Sequence, residues 1–192
     1  MNIALIYLAA GNSTRFGSNK LIYELDGKPM FLHLLEKLEK ICHQNKSYKL
    51  FCITQHDEIA EIIKNMNLVT VLSPESKNGA SFTIKNGLSA VQRHFPEADK
   101  FVFFVADQPY LSELTVNSFI RTSAESEKGI LCVSNNGETG NPVCFSAGYF
   151  NELMLLTGDR GGKYVLRKHP DDVSLFEVED SSELEDIDEK EL

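Results

Sequence analysis

Six consecutive residues near the amino terminus, Ile3-Ala4-Leu5-Ile6-Tyr7-Leu8, leave no polar face. A strand of that kind must be buried on both sides, which calls for the interior of a sheet covered by helices above and below. The rest of the chain is patterned to supply those helices. From Pro29 to Ile41 the apolar residues Met30, Phe31, Leu34, Leu35, Leu38 and Ile41 recur at three- and four-residue spacing between charged ones, an amphipathic helix with Pro in its first turn. A strand is predicted at Lys49–Thr54, a helix from about Asp57 to Asn65, a short strand at Leu68–Leu72 and a helix from about Ala80 to His94. The strand Phe101–Val105, a helix from about Ser112 to Ser126, and strands at Ile130–Ser134 and Pro142–Phe145 follow. Helical segments at Ala147–Leu155 and Gly162–Lys168 and a last strand near Ser174–Val178 complete the chain. This alternation predicts an α/β fold, a three-layer sandwich around a mostly parallel central sheet.

At 192 residues the chain is long enough for one domain, residues 1–192, held by its own core without disulfides or a structural metal. Cys42, Cys52, Cys132 and Cys144 form no Cys-x-x-Cys pair and lie in or beside apolar runs, as buried reduced thiols do. The formal charge of −9 is uneven: residues 177–192 hold nine carboxylates against Lys190 alone, so the body of the chain is nearly neutral. No basic footprint for nucleic acid is visible. Nor does any apolar stretch approach the roughly 20 residues of a membrane helix. With no basic stretch ahead of its first apolar run, the chain reads as cytoplasmic. The acidic segment 177–192 reads, on charge alone, as a solvated or disordered tail.

In open α/β sheets ligands sit beyond the carboxyl ends of the strands, and two loops there carry unusual residues. After the first strand comes Leu8-Ala9-Ala10-Gly11-Asn12-Ser13-Thr14-Arg15-Phe16-Gly17-Ser18-Asn19-Lys20. Small residues let backbone N–H groups approach an anion, and Arg15 and Lys20 supply positive charge, so the loop suits phosphate. An ordinary glycine-containing turn would explain the glycines but not both cations. After the aromatic strand, Ala106-Asp107-Gln108-Pro109 places a carboxylate behind five apolar residues. A carboxylate there needs a cation or a hydrogen-bonded turn, so Asp107 reads either as a Mg2+ ligand or as a turn cap ahead of Pro109. The five histidines, at 33, 43, 56, 94 and 169, share no ligand spacing and read as surface or helix-end residues.

Leu-Ala-Ala-Gly-x-Ser-x-Arg-Phe-Gly-x-x-Lys, followed by Gly27-Lys28-Pro29-Met30, resembles the opening of the MobA-like nucleotidyltransferases, most closely the molybdenum cofactor cytidylyltransferase branch. The resemblance implies a Rossmann-like nucleotidyltransferase fold of the glycosyltransferase-A type. It implies that Leu8, Ala9, Ala10 and Gly11 hold the nucleoside triphosphate, with Arg15 and Lys20 on its phosphates. Ala10 stands where guanylyl members usually have Gly, which favours CTP. Ala106-Asp107-Gln108-Pro109 is similar to the family's Gly-Asp-x-Pro, making Asp107 the Mg2+ ligand. Asp186-Ile187-Asp188 resembles the family's ending, with Asp188 as second ligand and Asp186 as the alternate, although Glu189-Lys190 replaces Thr-Pro. Gly79 and Ser81 fall in a segment like the one beside the base and ribose, and Ser81 also suits an ordinary helix cap. Gly140-Asn141-Pro142-Val143 and Gly158-Asp159-Arg160-Gly161 match late motifs near the acceptor, implying roles for Asn141, Pro142, Asp159 and Arg160; Arg160 would hold a phosphate unless that segment is a plain turn.

The activity so implied is transfer of CMP from CTP to the terminal phosphate of molybdenum-loaded molybdopterin, the product passing to a molybdenum hydroxylase. GTP as donor, a sugar phosphate as acceptor, and a non-catalytic carrier of the pterin cofactor are the alternatives.

Overall fold

Strand β1 (Ile3–Leu8) sends Ile3, Leu5 and Tyr7 into one core cluster and Ala4 and Ile6 into another, and all five are fully buried. Successive strand side chains point to opposite faces, so a helix layer must cover each. The computed structural model, which describes residues 1–12 and 19–187, has both layers.

After β1 a short hairpin, β2 (Glu24–Leu25) and β3 (Lys28–Pro29), turns at Asp26 and Gly27, both at positive φ as a two-residue hairpin turn requires. The pattern reading passed over it because the strands are only two residues long. Next come α1 (Met30–Gln44), β4 (Tyr48–Thr54), α2 (Asp57–Ile62), β5 (Val69–Leu72), α3 (Ala80–His94), β6 (Lys100–Val105) and α4 (Glu113–Glu125). The carboxyl-terminal third holds β7 (Ile130–Asn135), β8 (Glu138–Ser146), α5 (Phe150–Met154), α6 (Gly162–Lys168) and β9 (Val173–Glu177).

The seven-stranded sheet has the order β5-β4-β1-β6-β8-β7-β9, and only β8 runs antiparallel to its neighbours. The predicted three-layer α/β fold with a mostly parallel sheet is the observed one. Leu34, Leu35, Leu38 and Ile41 of α1 and Val116, Phe119 and Ile120 of α4 pack on one face. Ile84, Leu88 and Val91 of α3, with Leu153 and Val165, pack on the other. Each such side chain contributes roughly 1.5–3 kcal/mol by leaving water. Gly87 lets α3 settle against the sheet: a Cβ there would stand 3.0 Å from Ile6 and 3.1 Å from Ile53.

Some boundaries differ from the pattern reading. The helix expected over 57–65 stops at Ile62, and the segment 147–155 divides into a 3-10 turn, Ala147–Tyr149, and α5. The strand expected over 142–145 extends back to Glu138, because Asn136 and Gly137 at positive φ close a hairpin with β7. Pro142 is tolerated inside it where the β7–β8 register shifts. The acidic segment corrects the expectation from charge most clearly. Glu177 belongs to β9, Val178 is buried with its N–H on Ser134 O, and the chain stays docked through Ile187.

Candidate active site

Register positions the site. Leu8 at the end of β1 pairs with Ile53 of β4 and Val105 of β6, so three strands end at one level. The chain moves from β1 outward through β4 and β5, then returns to place β6 on the other side of β1. That reversal opens a crevice beyond β1 and β6, where such sheets bind ligands. A cavity of about 230 Å³ lies there, lined by Leu8, Ala10, Gly11, Lys20, Gly79 and Asp107 among others, with Asp159 and Asn12 at its edge.

Asp107 follows β6 by two residues and accepts a hydrogen bond from Lys20 Nζ at 3.0 Å. Lys20 is buried, 8% exposed, in a 3-10 turn capped by the Asn19 side chain. Its ammonium also reaches the Ile187 carbonyl at 3.2 Å, and the Ile187 N–H donates to the Asp107 carbonyl at 3.1 Å. Three residues far apart in sequence therefore close one hydrogen-bonded ring. Beneath it the Tyr7 hydroxyl donates to Phe31 O, and burial, with Cys52 and Asp107 nearby, holds the phenol well above its usual range. Lys37 of α1 donates to Pro109 O and Leu111 O, bracing the loop that bears Asp107; burial lowers its pKa.

The loop after β1 is supported from β4, by residues the sequence reading had not assigned to the site. Gln55 donates to Ala10 O at 2.7 Å and to Asn12 Oδ1 at 2.9 Å, while a ring nitrogen of His56 lies 3.1 Å from Gly11 O. The available signal was positional: both directly follow a strand that ends beside β1. Ala9 faces the core instead of the cavity, its N–H bonded to Ile53 O. Arg15 and Asp188 lie outside the described residues, and Asp186 is exposed.

Gly79 has φ +131 and lies against the chain at Gly158: a Cβ would come 2.5 Å from Gly158 O and 2.8 Å from Asp159 Oδ1. The Ser81 N–H donates to Gly158 O at 3.1 Å. Ser81 sits inside α3, with Gly79 as the capping residue, and its buried hydroxyl has no hydrogen-bond partner among the described residues. Asn141 and Pro142 lie on β8, whose Val143 would be 3.4 Å from a Cβ on Gly162, the first residue of α6. Arg160, two residues before Gly162, stands over the Tyr164 ring at 4.6 Å. The two late motifs thus meet, and of their residues Asp159 reaches the cavity.

This arrangement suits a polyanion and a hard cation. Mg2+ takes oxygen ligands from one or two carboxylates and completes its shell with water and phosphate oxygens. Asp107 fits that need, whereas among the described residues no group of three or more His, Cys, Asp or Glu comes together to form an all-protein metal cage.

Residues 5–173 match the model of the MobA-like NTP transferase domain. The chain belongs to that family. As a MobA-like protein it is a nucleotidyltransferase, and its recognised partner class is the nucleoside triphosphate. It is 26% identical over 200 residues to the purine catabolism protein PucB of Bacillus subtilis, covering 95% of this chain and 90% of that one. It is 29% identical over 165 residues to a probable molybdenum cofactor guanylyltransferase of Thermococcus sibiricus, covering 85% and 77%. The solved structure of Rv0371c from Mycobacterium tuberculosis in complex with manganese has the same fold, with TM-score 0.72 and 21% identity over 94% of this chain and 90% of that one. Among the described residues, no helix of this nucleotidyltransferase is long and apolar enough to cross a membrane.

Proposed function

We propose that residues 1–192 form one nucleotidyltransferase domain that transfers CMP from CTP to the terminal phosphate of molybdenum-loaded molybdopterin. An acceptor phosphate oxygen attacks the α-phosphorus, the α–β phosphoanhydride bond breaks, and pyrophosphate leaves. The observation that carries this reading is the Lys20–Asp107 pair, 3.0 Å apart at a cavity on the β1–β6 switch point. A phosphate acceptor is already anionic, so the site needs positioning and charge neutralisation rather than a strong base.

Asp107, with Asp188 beyond the described residues, would hold Mg2+, which when bound neutralises phosphate charge and orients the reacting oxygens. Lys20 and Arg15 take the triphosphate oxygens and offset the charge of the departing pyrophosphate. Leu8, Ala10 and Gly11, backed by Gln55 and His56, form the wall against which the nucleotide lies. Ala9 contributes by fixing that wall to β4, while Gly79 and Ser81 join the base side to the Gly158 turn. Asn141, Pro142, Asp159 and Arg160 form the acceptor side, with Arg160 on the acceptor phosphate. A molybdenum hydroxylase would receive the product.

GTP is the second reading for the donor, favoured by the name of the Thermococcus relative; Ala10 supports CTP. Pyrophosphate release is to be measured from CTP and GTP in parallel, with molybdenum-loaded molybdopterin, Mg2+ or Mn2+, and a metal-free control. Metal-dependent release with CTP is expected. Release with GTP alone would replace the donor, and release with neither would remove this acceptor.

A further inference from the structure

Gln108 was read from sequence only as the variable position of the Ala-Asp-Gln-Pro motif. It is nevertheless 4% exposed, is not part of the cavity lining, and donates through its side chain to Leu184 O at 3.0 Å. One residue earlier in that distant segment, the Glu183 carboxylate accepts from the Ser112 N–H at 2.8 Å. Three residues later, Ile187 bonds through its N–H to Asp107 O and through its carbonyl to Lys20. The segment 177–187 contains six carboxylates and no cation, so charge alone would drive it away from Asp107. The Gln108 carboxamide, the Ser112 and Ile187 N–H groups and the Lys20 ammonium help to hold it there.

We infer that Gln108 is a positioning residue whose buried carboxamide pins the chain at Leu184, so that the Ile187 backbone closes the ring holding Lys20 and Asp107 at a fixed separation. The inference rests on the proposed roles of Lys20 and Asp107. A buried carboxamide seldom leaves a donor unsatisfied, and this one meets a carbonyl 76 residues away. Because the Lys20 ammonium bonds both to the loop after β6 and to the acidic segment, freeing the segment loosens the ammonium as well as the chain. Within the segment, the Gln108 pin and the Lys20–Asp107 ring use the main-chain atoms of Leu184 and Ile187, so they do not depend on which acidic side chain would bind metal.

The test uses the full chain with Gln108→Met, which keeps the side-chain length and removes the donor, and Glu183→Ala, an outer substitution that removes the second pin with less risk to the core. Three quantities are read without an acceptor: amide hydrogen exchange in 183–187, the NMR signal of the Lys20 ammonium, and equilibrium affinity for CTP. In Gln108→Met, exchange in 183–187 is expected to rise about tenfold with β1 and β6 unchanged, the ammonium signal to broaden, and CTP to bind roughly 2–10-fold more weakly, the range of one net hydrogen bond. Glu183→Ala is expected to show the same changes at smaller size. Unchanged exchange in both variants would overturn the pin, and raised exchange with an unchanged ammonium signal would overturn its action on Lys20. Failure of the wild type to bind either CTP or GTP would instead remove the proposed function, leaving exchange and the ammonium signal to decide the pin.

Discussion

The proposed donor and acceptor sides of the crevice are built differently. On the donor side Lys20, Asp107 and Ile187 are bonded to one another across 87 and 167 positions of sequence, and the cation is nearly out of water. On the acceptor side Arg160 is exposed and leans on the Tyr164 ring, which also has Lys168 Nζ at 4.6 Å. A cation held by hydrogen bonds to buried partners keeps its place before substrate arrives, whereas one held by an aromatic face can swing. Under the proposed assignment the difference says where ordering would occur: the triphosphate would meet a prepared site, and the acceptor would organise its own.

The largest break in this asymmetry is expected from Asp107→Asn, which should stay folded, with a lowered melting temperature because the buried Lys20 ammonium loses its carboxylate partner, and lose about 10²–10³-fold or more in kcat, read as pyrophosphate release. Lys20→Ala should lower kcat/KM for CTP by about 10²-fold with little change in the acceptor KM; an unchanged value would move the triphosphate elsewhere. Gly79→Ala links the two sides, because its Cβ would strike Gly158 and its φ of +131 disfavours any side chain. That strain is of order 1–3 kcal/mol, so a melting point lowered by several degrees and raised KM values for both substrates are expected. A change confined to one substrate would show that the sides are independent. Arg160→Ala should raise the acceptor KM about tenfold and leave CTP binding alone. The smallest effect belongs to Tyr164: Leu there should raise the acceptor KM about 2–5-fold, while Phe, which keeps the ring face, should behave as wild type. Equal effects of Leu and Phe would remove the ring from the acceptor side.

Legibility in the sequence followed the range of the interactions. The apolar run of β1 and the three- and four-residue spacing of α1 are local patterns, and both elements were found within a few residues of their bounds. The β2–β3 hairpin was missed although Asp26-Gly27 signals it, because two-residue strands have no period to detect. Gln55 and His56 were missed for another reason: they look ordinary until β4 is known to lie beside β1. The acidic segment misled because composition reports net repulsion and says nothing of the backbone bonds that overcome it.

Sequence by itself determined the α/β layering, the family, and the two residue types, a lysine and an aspartate, that a phosphate and metal site requires. Periodicity, the small-residue loop and a carboxylate behind a buried strand are all properties of neighbours in the chain. Tertiary structure alone decided that Lys20 and Asp107 stand 3.0 Å apart, that Gly79 abuts Gly158, and that Ile187 closes the ring. Those contacts depend on strand order and register, which are settled by burying both faces of the sheet at once and so cannot be read from any single stretch of residues.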